Sequence, residues 1–141
     1  MKHRIVTCLV LCGCALLSIS ASGDHAPGKE KVFRAVVDPD GVQRAEIVGG
    51  SYFFSPDRVV VRVNIPVDLK VRKEPGIVPH DIVIKAPEAG IDFEESLSSD
   101  PKVIRFTPTR TGAYPFYCGK KLLFFESHRD KGMAGVLEVV E

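Results

Sequence analysis

From Val32 onward the chain reads as short runs of five to eight residues, rich in Val and Ile, each closed by Gly, Pro, Asp or Asn. "VFRAVV" (32–37) ends at "DPDG", and "VQRAEIV" (42–48) ends at Gly49-Gly50. "RVVVRVNI" (58–65) meets Pro66, and "VDLKVR" (67–72) meets "KEPG". "HDIVIK" (80–85), "KVIRFT" (102–107), "YPFYC" (114–118) and "AGVLEVV" (134–140) complete the series. Branched residues at this spacing favour extended chain, and the closing residues favour turns. Within 58–63, Val59, Val61 and Val63 fall on one side of a strand, and Arg58, Val60 and Arg62 on the other. Seven or eight such strands predict an all-β domain over 32–141, a Greek-key β-sandwich in preference to a small barrel. Only 88–99, "EAGIDFEESLSS", has room for a short helix. Pro115 predicts an edge position for its strand, because proline cannot donate to a ladder.

The first 22 residues have a different character. Lys2 and Arg4 precede a mostly apolar run from Ile5 to Leu17, followed by the small residues 18–22. That order is the one found in secretory signal peptides, with cleavage expected near Ser22. The run is too short and too interrupted for a bilayer span. Leu11-Cys12-Gly13-Cys14 also forms a loose lipobox, so lipid attachment at Cys14 is the rival processing. Residues 23–31 are polar, contain Gly and Pro, and read as a flexible lead. An exported, periplasmic protein is expected.

The chain has 19 basic and 18 acidic side chains, and the leader holds two of the basic ones. The mature charge is nearly zero, with no basic cluster of the kind that binds nucleic acid. Three of the four cysteines, Cys8, Cys12 and Cys14, lie in the leader. An exported domain then keeps one cysteine, Cys118, which pairs with nothing inside its own chain. A buried inert thiol, an intermolecular disulfide, a nucleophile and a metal thiolate are the four readings.

Beyond the leader the soft or borderline metal donors are His25, His80, Cys118, His128 and Met133. His25 falls in the polar lead. The others fall at strand ends and in the loop that precedes the last strand. Strand ends of a sandwich gather at its poles, so donors far apart in sequence can meet there. Thiolate and thioether favour Cu(I), and imidazole binds both oxidation states of copper. Two His, one Cys and a weak axial Met make the electron-transfer copper site. Structural zinc wants four strong N or S donors, and thioether is not one of them. Glu126 is a rival oxygen donor that would give a harder site.

Three segments carry a family resemblance. Gly76-Ile77-Val78-Pro79-His80-Asp81-Ile82-Val83 resembles the plastocyanin segment G-x-P-H-N-I-V, with one residue added. Thr111 to Cys118, "TGAYPFYC", resembles its G-x-Y-x-F-Y-C. His128 to Val136, "HRDKGMAGV", resembles its H-x-x-x-G-M-x-G. The order is the same, and the resemblance covers roughly residues 50–141. It implies a cupredoxin fold with one type 1 copper ion held by His80, Cys118, His128 and Met133. Two departures stand out. Nine residues, "GKKLLFFES", separate Cys118 from His128, where plastocyanin-like sites have a short loop. Asp81 stands where the family often has Asn, and an ionised Asp accepts hydrogen bonds but does not donate them.

By its period, the 114–118 strand turns Tyr114, Phe116 and Cys118 inward and Tyr117 outward. The inserted loop has two readings. Leu122, Leu123, Phe124 and Phe125 either fold back over the site, as apolar side chains usually do, or remain exposed as a contact surface. For function, the leading expectation is a non-enzymatic carrier of single electrons for a protein redox partner, a membrane-bound one included. A copper-handling module for delivery, storage or sensing is the alternative. A thiol enzyme with Cys118 as nucleophile comes third, since no C-x-x-C context supports it and Met133 would have no role.

Overall fold

A computed structural model describes residues 30–141. The leader with Cys8, Cys12 and Cys14, and His25 with most of the polar lead, lie outside the described residues. Of the lead, Glu30 and Lys31 are described: Glu30 pairs with Arg58 at 2.6 Å, and the Lys31 N–H donates to Asp57 at 2.7 Å.

Ten strands form two sheets. In chain order they are β1 (Val32–Arg34), β2 (Gln43–Gly50), β3 (Phe53–Ser55), β4 (Arg58–Arg62) and β5 (Val67–Lys73). There follow β6 (His80–Ala86), β7 (Ile91–Leu97), β8 (Lys102–Phe106), β9 (Gly112–Tyr117) and β10 (Ala134–Val140). The larger sheet has the order β1-β4-β10-β9-β6-β7, and the smaller β3-β2-β5-β8. The expected all-β sandwich is observed, with two more strands than the upper expectation; β3 and β7 are the additions. No helix among the described residues is long and apolar enough to cross a membrane.

Alternation does the packing. In β5, Val67, Leu69 and Val71 are buried, while Asp68, Lys70 and Arg72 face outward. From the facing sheet Ile82, Ile84, Phe116 and Leu137 close the same core. Each such side chain, fully buried, stabilises the fold by about 1.5–3 kcal/mol before entropy is counted.

Two local expectations are corrected. The 88–99 segment is not helical beyond a single 3-10 turn at Pro87–Ala89. Gly90, at φ 72, reverses the chain, and β7 then pairs with β6 along its whole length, from Ile91 opposite Ala86 to Leu97 opposite His80. Its Ile91, Phe93 and Leu97 have strand period, and a seven-residue ladder outweighs weak helix propensity. Pro115 is not on an edge strand, because β9 lies between β10 and β6. However, a single residue pair, Val83 with Tyr117, joins β9 to β6. At Pro115, therefore, β9 has a ladder on the β10 side only, opposite Val136, and the missing N–H is tolerated.

Candidate metal centre

β9 runs antiparallel to both β10 and β6. The end of β9 therefore lies beside the start of each neighbour. His80 opens β6, Cys118 follows the last residue of β9, and His128 and Met133 precede β10. Topology alone brings them to one pole.

The donor atoms converge there. The two Nδ1 atoms of His80 and His128 are 3.1 Å apart. Cys118 Sγ lies 3.5 Å from His128 Nδ1 and 3.9 Å from His80 Nδ1. All three residues are buried, and their donor atoms fall within 4.8 Å of one another. Nitrogen and sulfur donors bound at roughly 2.0–2.3 Å around one ion stand about 3.5–4 Å apart in a trigonal array, a spacing close to the one seen. Met133 is fully buried and belongs to the same backbone ring: its carbonyl accepts from Cys118 N–H at 3.0 Å, and its N–H donates to the His128 carbonyl at 2.9 Å. Gly49 leaves room for it, since a Cβ there would stand 3.1 Å from Met133 Cε and 2.9 Å from Leu97 Cδ1. Two imidazoles, a thiol and a thioether are a donor set that fits one copper ion. Glu126 is exposed and is not among the converging donors of the described residues.

Burial sets the protonation of the free donors. Burial first, then the neighbouring His128, holds the His80 imidazole below its ordinary pKa. Burial, then Lys131, does the same to His128. Burial pushes the Cys118 thiol upward. The imidazoles keep their lone pairs at neutral pH, and metal binding must release the thiol proton.

The inserted loop does not loosen His128, because the extra residues bulge beyond a closed base. The His128 N–H donates to the Lys120 carbonyl at 3.0 Å, so the chain leaves and returns at one point. The Lys131 N–H to Ser127 carbonyl and Gly132 N–H to Arg129 carbonyl bonds wind the stretch after it, and Gly132 at φ 99 makes the turn into Met133. Asp81 pins the other side. Its buried carboxylate accepts from the Gly119 N–H at 2.6 Å and pairs with Lys120 Nζ at 3.2 Å. An acceptor-only side chain suffices here because both partners are donors, and Lys120 offsets the charge.

Tyr52 is the residue that strand and motif reading missed. It sits in the turn between β2 and β3 at φ 63, a conformation a bulky residue rarely adopts. Its ring stands edge-on to His128 at 5.0 Å and to His80 at 6.4 Å, and Lys131 Nζ lies 4.5 Å over it. The signal was faint: the first of three aromatics, Tyr52-Phe53-Phe54, directly after Gly49-Gly50-Ser51. Beside it an apolar groove runs past Ile77, Val78, Leu122 and Phe125 to His128. The reading in which the loop buries its apolar residues is overturned: Leu122, Leu123, Phe124 and Phe125 are all exposed.

No protein-family model matches the chain, and no curated protein matches it in sequence. Solved structures do match. The metal-binding domain of the Cu(I)-exporting P-type ATPase CopA of Streptococcus pneumoniae D39 is 27% identical, with TM-score 0.58, over 81% of this chain and all of that one. Reduced auracyanin from Roseiflexus castenholzii is 20% identical, with TM-score 0.55, over 70% of this chain and 97% of that one. A copper-binding protein solved in its apo form is 20% identical, with TM-score 0.58, over 79% and 99%. The chain has a cupredoxin-like fold. The cupredoxin segments read from the sequence fall where the fold requires them, and the His80, Cys118, His128 and Met133 cluster fits a type 1 site. The largest departure from the plain motif is the loop Gly119 to Ser127, whose base is tied at Lys120 and His128.

Proposed function

We propose that the chain is an exported copper protein that carries single electrons between larger redox partners and is not itself an enzyme. His80, Cys118, His128 and Met133 are its ligands. The observation that carries this reading is the preassembled donor cluster: three donors within 4.8 Å, buried and held by backbone hydrogen bonds from both sides. Copper, when bound, supplies the one-electron couple. The side chains supply a site midway between the preferences of its two oxidation states, so little reorganisation accompanies the electron. Tyr52 and the ring of backbone bonds keep the imidazoles in place, and burial keeps bulk water away.

Visible spectroscopy with Cu(II) tests it. A strong thiolate-to-copper band is expected, and Cys118→Ser abolishes it while the sandwich stays folded. An unchanged spectrum in that variant sinks the site assignment. The 27% identity to a domain of a Cu(I)-exporting ATPase supports a second reading, a copper-handling module. Voltammetry separates the two. A reversible one-electron couple supports the carrier, whereas rapid loss of Cu(I) to a chelator, with no such couple, supports handling.

A further inference from the structure

We propose that the Leu122–Phe125 turn is a seating tip that inserts into the interfacial layer of an anionic lipid bilayer and sets the donor pole against that surface. Four consecutive apolar residues are exposed, Leu123 at 77% and Phe124 completely. The Phe125 N–H to Leu122 carbonyl bond, 3.0 Å, closes them into a turn with Leu123 in the left-handed region at φ 48. The backbone thus takes an unfavourable conformation to display these side chains, not to bury them. Ile77, on the neighbouring loop and across the same groove, is completely exposed as well.

Charge selects the occupant. Between Gly119 and Gly132 stand four basic side chains, Lys120, Lys121, Arg129 and Lys131, and two acidic ones, Glu126 and Asp130. The whole chain, by contrast, is nearly balanced. Lys120 is paired with Asp81 at 3.2 Å, so the basic excess rests on Lys121, Arg129 and Lys131 against Glu126 and Asp130. Shape favours lipid over protein. Leu122 and Phe125 line the groove, whereas Leu123 and Phe124 do not and are the most exposed of the four; a protein partner would need a matching socket for those two, whereas a bilayer adapts to them. Apolar residues at the acyl boundary with lysines at the headgroups is the interfacial binding mode, its strength set by buried apolar area and attraction to anionic lipid. The consequence is orientation: the groove that Leu122, Phe125 and His128 share is held at the membrane surface, within reach of a membrane-bound partner.

The chain has no tryptophan, so Phe124→Trp in the full chain is a clean reporter. The probes are vesicles of phosphatidylcholine with about a third phosphatidylglycerol, and vesicles of phosphatidylcholine alone. The expected result is a blue-shifted emission, quenched by brominated acyl chains, on the anionic vesicles only and weakened by salt. Leu123→Ser with Phe124→Ser, compared with the wild type by co-sedimentation with the vesicles because the reporter position is replaced, should weaken partition about tenfold or more. Lys121→Glu should weaken it about fivefold. No blue shift on anionic vesicles overturns the proposal, as does equal partition of the wild type and the double variant. A lipid-independent shift that follows protein concentration, with a dimer in sedimentation, assigns the tip to a second copy and likewise overturns it. The proposal does not rest on copper: the reporter reads the same with and without metal, so failure here leaves the electron-carrier reading standing, and the reverse.

Discussion

Strand β9 and the loop that follows it both carry phenylalanine, with opposite fates. Phe116 in β9 is fully buried, while Phe124, eight residues on, is 101% exposed. Phe116 stacks edge-on to Phe54 at 5.3 Å and lies under Gly135, its partner across the ladder, where a Cβ would come within 2.3 Å of the ring. Phe124 has no strand to pair with and no sheet above it. Hydropathy is the same for the two residues. What differs is whether the backbone is committed to a ladder that aims the side chain at the core. An apolar residue in a loop is buried only if something is built to receive it.

The largest test of this contrast is Phe116→Ala. It removes a ring from a close-packed interior and should cost about 3–5 kcal/mol in urea unfolding. A loss below about 1 kcal/mol would break the comparison, since β9 would then be no better packed than the loop. The joint between the two regions comes next. Asp81→Ala leaves the Gly119 N–H without its acceptor and should cost about 1–3 kcal/mol. It should also speed hydrogen exchange at the Gly119 amide. Asp81→Asn keeps an acceptor oxygen and should recover most of that stability. If Asn is as damaging as Ala, the charge opposite Lys120 matters more than the acceptor. The smallest effect belongs to Phe124→Ala, expected within about 0.5 kcal/mol of the parent. A cost near that of Phe116→Ala would mean that the loop packs in solution, and the contrast would vanish.

Much of the fold was legible beforehand because strand period is local. Val67, Leu69 and Val71 announce a strand and its inward face without reference to any other segment. β7 differs: the alternation of Ile91, Phe93 and Leu97 is diluted by Asp92, Glu94, Glu95 and Ser96, and the ladder offered by β6 is what commits it to a strand. The interior place of Pro115 is equally nonlocal, since it depends on β6 meeting β9 at one pair only.

The sequence by itself determined the alternation that makes a sandwich and the order of the candidate donors, His80, Cys118, His128 and Met133. Those are properties of residue chemistry and short-range spacing. Only the tertiary structure decided how a nine-residue loop leaves His128 in place, through the Lys120–His128 backbone bond and the Asp81 clamp. It alone brought Tyr52 against both imidazoles and left Leu122 to Phe125 outside. The physical reason is that a hydrogen bond or a burial site across the fold exists only once distant strands have paired, and no local pattern in the chain encodes that meeting.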